Sequence, residues 1–180
     1  LSTIEDAQAG GQPTEIDGLW ARISAAQGSY SEHPKSVPIE KFGRSLTSDW
    51  RLYRETIPVL DMLSRSRVAM GLVSDVASPA VHWASLAEQL GLTHYIKAMA
   101  FSEELCATKP DPCGILTVLE SLNSDPQDAI YVGDTPSKDV DAAVAAGVKA
   151  VWIKHRPGVE LGSSQPDHTI DSLRELFSVL

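Results

Sequence analysis

The feature that most constrains this chain is a repeated order of short apolar run, turn and helical segment that begins near residue 57. Residues 68–74 (VAMGLVS), 95–101, 129–132 (AIYV) and 149–153 (KAVWI) are apolar stretches of the length of strands buried on both faces. Ser78-Pro79 places an N-cap and an N1 proline ahead of a helix ending at Gly91, Asp111-Pro112 opens a helix through about Leu122, and an Ala-rich helix ends at Gly147. A short strand at 168–170 precedes a last helix over 172–179. Strands alternating with helices predict an α/β fold: a Rossmann-like parallel sheet with helices on both faces, joined by right-handed crossovers.

Residues 1–56 have a different texture. Ile16, Leu19, Trp20 and Ile23 form an i, i+3, i+4, i+7 stripe behind Thr14 as N-cap, residues 28–38 read as a loop, and Ile39, Phe42, Leu46, Trp50 and Tyr53 suggest further helix. The expected organisation is a small helical cap region over 1–56 and a core over 57–180. The chain starts without Met or a signal-peptide pattern, so Leu1 is expected to be an internal point of a longer chain.

Charge and composition narrow the partners. A net charge of −9 leaves no diffuse basic field for a nucleic-acid backbone or an anionic membrane, and no apolar stretch approaches the roughly 20 residues needed to span a bilayer. Cys106 and Cys113 are too few for a disulfide scaffold, which points to a reducing cytoplasmic setting. His33, His82, His94, His155 and His168 share no metal-ligand spacing and are expected in loops or at the surface. Oligomeric state leaves no signature in the sequence.

In parallel α/β sheets ligands bind beyond the carboxyl ends of the strands, so the residues that follow each strand are the candidates. Ser74 ends the first strand and the chain turns through Asp75 toward a helix N-terminus, where a hydroxyl and free N–H groups suit phosphate oxygens. Lys109, stiffened between turns by Pro110 and Pro112, is an ammonium held in one place. The strongest signal is Tyr131-Val132-Gly133-Asp134-Thr135-Pro136-Ser137-Lys138-Asp139, where a strand delivers one carboxylate into a loop and a second stands at the next helix start. Two hard oxygen donors at a strand end suit Mg²⁺, which keeps water and substrate phosphate as its other ligands. Asp134 is then the direct or water-mediated ligand, while Asp139 orients it or bridges to Lys109. Asp141 is expected to point away into solvent.

This ordered set, strand-Ser, Lys-Pro-Asp-Pro, then strand-Gly-Asp-x₄-Asp and an Ala/Gly-rich helix, resembles the haloacid dehalogenase superfamily over about residues 57–155. The resemblance implies that residues 14–56 belong to a specificity-setting cap and that Ser74 is the phosphate-binding hydroxyl. It further implies that Lys109 is the catalytic lysine and that Asp134 and Asp139 form the acidic metal pair. Ser74, Asp75 and Lys109 are the expected substrate-binding set, and Ser74 and Lys109 the catalytic one. The implied chemistry is Mg²⁺-dependent hydrolysis of a small phosphate ester through an aspartyl-phosphate.

The superfamily's first motif, an apolar strand ending in Asp-x-Asp-x-Thr that supplies the nucleophile, has no match. The one Asp-x-Asp is Asp139-Val140-Asp141, inside the fourth motif. That first strand belongs between the strands ending at Ser74 and Val132, and its absence leaves two edges of unpaired backbone groups. The expectation is that a leading segment supplies strand and nucleophile. Alternatively residues 1–12 or another chain fill the gap, and the product is a non-catalytic interaction or regulatory module. A receiver domain is disfavoured because its acidic cluster comes first in sequence, and Gly133-Asp134-Thr135 is no dinucleotide-binding turn.

Overall fold

The computed structural model describes residues 51–76, 78–105, 107–155, 158–159 and 161–180. The helical stripe and loop expected over 1–50 lie outside these residues.

The first described helix, α1 (Thr56–Arg65), buries Val59 and Leu63, one turn apart, and pairs Asp61 with Arg65 at 2.9 Å across its exposed side. The sequence pattern announces no helix there. β1 (Met70–Ser74) is shorter than the apolar run that predicts it. Arg67 adopts a left-handed φ of 61° and the Val68 amide bonds back to Leu63 O at 3.0 Å, so the start of the run is used to leave the helix.

α2 (Ala80–Gln89) follows Pro79, and its predicted cap is corrected: the Ser78 hydroxyl accepts the Trp83 indole N–H at 2.9 Å. The first amide of α2, Ala80 N–H, is taken instead by the Glu103 carboxylate at 3.1 Å, from the short helix α3 (Ser102–Leu105). β2 (Ile96–Phe101) begins after Tyr95, whose amide closes the preceding turn on Leu92 O. α4 (Cys113–Leu122) has its first amide held by Asp111 Oδ1 at 2.8 Å. β3 (Ile130–Gly133) starts one residue late because Ala129 closes the turn Pro126–Asp128.

α5 (Pro136–Ala145) exits through Gly147 at φ 71°, and β4 (Lys149–Ile153) and β5 (His168–Ile170) follow. The predicted last helix is a 3-10 segment, Leu173–Ser178, capped by the Ser172 hydroxyl.

The strands are parallel, as expected, but they form two sheets. β1 pairs with β2, β4 lies between β3 and β5, and no ladder joins β1 to β3 among the described residues. The same layers nonetheless cover both sheets. On one face Val73 of β1, Tyr131 of β3 and Trp152 of β4 pack with Ile115 and Leu119 of α4 and Val140 of α5. On the other, Met70, Ile96, Val132, Val151 and Ile170 close over Val59, Leu63 and Leu176. Along β3 the period-2 alternation is clean: Ile130 and Val132 point to the second core, Tyr131 to the first. A third cluster, Val76, Ala80 and Phe101 with Trp83, lies under α2. Among the described residues no helix is long and apolar enough to cross a membrane.

The two ends of the described core are tied by Glu55. Its carboxylate accepts the Ser172 hydroxyl at 2.7 Å and the Leu173 amide at 2.9 Å, with the Arg174 guanidinium 3.8 Å away. The Ser172 and Leu173 hydrogen bonds hold this carboxyl below its ordinary value of 4.5. A lowered folded-state value makes the tether fully present above 4.5 and lost as pH falls through that lowered value. The protection factor of the Leu173 amide in hydrogen exchange is therefore expected to collapse on acidification, and Glu55→Ala to give low protection at every pH.

Candidate active site

The carboxyl ends of β1 and β3, with the loop that carries Lys109, bring four of the five predicted residues into one bonded network. Asp75, just past β1, accepts the Lys109 backbone N–H on Oδ1 at 3.1 Å. The Lys109 side chain runs on to Asp139, with Nζ and Oδ1 2.6 Å apart and side chains only 14% and 5% exposed. Asp139 Oδ2 accepts the Thr135 N–H at 2.9 Å, and the Thr135 hydroxyl donates to Asp134 Oδ1 at 3.1 Å. The chain of contacts thus runs Asp75, Lys109, Asp139, Thr135, Asp134. Ser74, the fifth residue, ends β1 beside Asp75, and no described residue hydrogen-bonds its hydroxyl.

Local sequence explains why Asp139 sits where it does. Thr135 is the N-cap of α5 and Pro136 the first helical residue, so the helix start is set by the sequence Thr-Pro. Asp139, the fourth helical residue, reaches back to accept the N-cap amide, which fixes one oxygen and aims the other at Lys109. Gly133 leaves the room: a Cβ there would run into the Asp139 side chain. The glycine before Asp134 is thus required by packing against the Asp139 carboxylate.

Tyr131 joins this network; the sequence places it in the strand of the Gly-Asp-x₄-Asp motif but assigns its side chain no role. Its hydroxyl donates to Asp139 Oδ1 at 3.3 Å and accepts from Lys109 Nζ at 3.4 Å. The available signal was the strand period, since Tyr131 stands two residues before Gly133 and so shares its face. Burial pushes the Tyr131 phenol up to about 12, Lys109 opposing this and Asp139 adding to it, so at neutral pH it is a hydrogen-bond donor. Burial works against the charged form of Lys109. The Tyr131 oxygen, Asp139 and Asp75 outweigh it and hold the amine above the usual lysine range.

Asp141 corrects an expectation. Rather than standing free in solvent, it accepts the Ser163 and Ser164 amides at 2.9 and 2.7 Å, and these bonds, the one to Ser163 foremost, lower its carboxyl. It fastens the segment after β4 to α5 and takes no part in the network. Of the described histidines, His94 and His168 are exposed and His82 and His155 half-buried, and no group of three or more potential metal-binding side chains occurs among the described residues.

A strand-end hydroxyl, a clamped lysine and a Gly-Asp-x₄-Asp turn in this order coincide with a sequence match: residues 23–153 match the haloacid dehalogenase-like hydrolase family. The chain belongs to that family. The match ends at the last residue of β4, so it takes in β1 to β4 and every residue of the network. Among haloacid dehalogenase-like relatives, the phosphoglycolate phosphatase 1 of Pseudomonas aeruginosa is 32% identical over 128 residues, covering 70% of this chain and 46% of that protein. The glyceraldehyde 3-phosphate phosphatase of Methanopyrus kandleri is 30% identical over 132 residues, covering 71% and 56%. The crystal structure of an HAD phosphatase from Thermococcus onnurineus superposes with a TM-score of 0.70 at 25% identity, over 99% of this chain and 77% of that one. The chain spans about half the length of the curated relatives it matches.

Because Asp139 is almost fully buried, removing its cation strands a charge. Lys109→Met is expected to cost about 3–5 kcal/mol of stability. The double variant Lys109→Met/Asp139→Asn, which keeps an acceptor for the Thr135 amide but no charge, is expected to be more stable than the single one. Urea unfolding midpoints of the wild type, Lys109→Met, Asp139→Asn and the double variant measure this, and strictly additive losses would refute the coupling.

Proposed function

We propose that this chain is the larger part of a Mg²⁺-dependent phosphohydrolase acting on a small phosphate ester. The observation that carries the reading is the buried Lys109–Asp139 pair at 2.6 Å, one residue's reach from Asp134, at the strand ends of a haloacid dehalogenase-like hydrolase. The names of the relatives, a phosphoglycolate and a glyceraldehyde 3-phosphate phosphatase, support a small phosphorylated substrate.

The donor chemistry fits a hard divalent cation. Asp134 places a carboxylate just past the strand end, and both oxygens of Asp139 are engaged by Lys109 and the Thr135 amide. In this reading Asp134 holds the ion, and Asp139 acts on it through Thr135 and through the position of Lys109. When bound, Mg²⁺ supplies charge neutralisation on the phosphoryl oxygens. The Lys109 ammonium neutralises a further phosphoryl oxygen, held protonated and aimed by Asp139, and the Ser74 hydroxyl donates to another. Tyr131 keeps water away from the ion pair and fixes its geometry.

The attacking carboxylate comes from a strand that lies between β1 and β3, outside the described residues. The support for this is the pair of strand edges that face one shared helix layer without a ladder between them. Attack forms an aspartyl-phosphate, expels the alcohol, and water then releases phosphate. The second reading, a module that keeps the fold without turnover, differs only in lacking that carboxylate. A cytoplasmic setting is supported by the low cysteine count, and a net charge of −9 disfavours nucleic acid and anionic membrane as partners.

The test is phosphate release from an aryl phosphate by the 180-residue chain, alone and with an N-terminal extension that supplies the missing strand. Release is expected to require Mg²⁺, to stop with EDTA, and to fall by about 10²–10³ in kcat for Ser74→Ala or Asp134→Asn, the scale of losing one electrostatic contact to the transition state. Activity that appears only when an N-terminal extension is added assigns the nucleophile to that extension. No release from either form leaves the non-catalytic module.

A further inference from the structure

Two ion pairs cross between the β1 and β3 sides of the site, in opposite senses. Lys109, on the β1 side, reaches Asp139 in α5, and Lys138 in α5 reaches back to Asp75 after β1. They differ in how firmly they are made. Lys109 Nζ sits 2.6 Å from its partner, whereas Lys138 Nζ lies 3.8 Å from Asp75 Oδ2, beyond hydrogen-bond distance. The Lys138 side chain is 31% exposed, and Asp75 Oδ2 is a buried oxygen with no hydrogen-bond partner.

One cation is therefore committed to the framework and the other is only leaning on it. Lys138 is adjacent in sequence to Asp139, three residues from Thr135, and its counter-ion Asp75 is adjacent to Ser74 and holds the Lys109 amide. Every residue assigned to phosphate binding is thus next to one end of the Lys138–Asp75 pair. The ammonium, on its flexible four-carbon stem, is free to trade a long, partly solvated contact for a short one to an entering anion.

Resting on the phosphohydrolase reading, we propose that Lys138 is a specificity-determining residue. It binds a second anionic group of the substrate, a carboxylate or second phosphate within one or two bonds of the ester, and leaves the transferred phosphoryl to Ser74 and Lys109. Asp75 parks the ammonium between turnovers.

The test uses a matched pair of ligands, 2-phosphoglycolate and ethyl phosphate, which differ by a carboxylate in place of a methyl group. Calorimetric affinities for the 180-residue chain in Mg²⁺ are compared with those of Lys138→Met and Lys138→Arg. Lys138→Met is expected to weaken 2-phosphoglycolate roughly tenfold, the scale of one partly solvated charge-assisted hydrogen bond, while moving ethyl phosphate less than about twofold. Lys138→Arg is expected to keep the preference for the carboxylate. Equal weakening of both ligands, no change in either, or failure of the wild-type chain to bind 2-phosphoglycolate overturns the assignment. Binding discrimination without turnover by any form of the chain upholds Lys138 as an anion contact and rejects the hydrolase reading alone.

Discussion

The contact on which the rest depends is the buried ion pair between Lys109 and Asp139. Its two members come from opposite sides of the divided strand layer, one from the loop beyond β2 and the other from the helix beyond β3. With no ladder between β1 and β3 among the described residues, side-chain contacts carry the register of the two sheets: the apolar packing of both helix layers, and at the carboxyl ends this pair. A pair so buried contributes little net stability once desolvation is counted, but it is costly to break, because either partner alone would be a stranded charge. Its value lies in holding one geometry rather than in adding strength. That is the property a site for a highly charged ligand needs.

The divided sheet follows from the same accounting of backbone groups that governs any strand. β1 and β3 each present a row of donors and acceptors along one edge, and a parallel strand is the natural partner for both. The helices do not fill that role, since α4 and α5 lie on a face of the layer and satisfy their own amides. Among the described residues, apolar packing holds the two sheets under one roof without a ladder between them. Covering the faces and closing the layer are separate tasks, and the described residues accomplish the first.

Much of this was legible in the sequence. Strand ends were readable because apolar runs stop abruptly at Ser74, Phe101, Gly133 and Ile153, and helix ends because Gly147 needs a left-handed backbone. The Gly-Asp-x₄-Asp spacing located Asp134 and Asp139 correctly on either side of a helix start. What escaped was whatever depends on contacts distant in sequence. Tyr131 reads as one more apolar strand residue until its hydroxyl is seen between Lys109 and Asp139. Ser78 reads as a helix cap until Glu103, 23 residues and more away, takes the amide it was expected to hold. Asp141 reads as solvated until the segment after β4 folds over it.

Asp139 shows why local and functional readings of a residue need not compete. A carboxylate in the first turn of a helix has an ordinary structural explanation, and the Thr135 amide on Oδ2 bears that explanation out. The cap uses one oxygen, and in doing so fixes the direction of the other, which meets Lys109 and Tyr131. The position of the lysine is thereby set by where α5 begins, and α5 begins where Thr135 and Pro136 dictate. Even the absence of a side chain at Gly133 belongs to this chain of causes, because the carboxylate occupies the space a Cβ would need. The charged centre of the molecule is in this sense a by-product of a well-made helix start, and it shifts with any substitution that moves that start by a fraction of a turn.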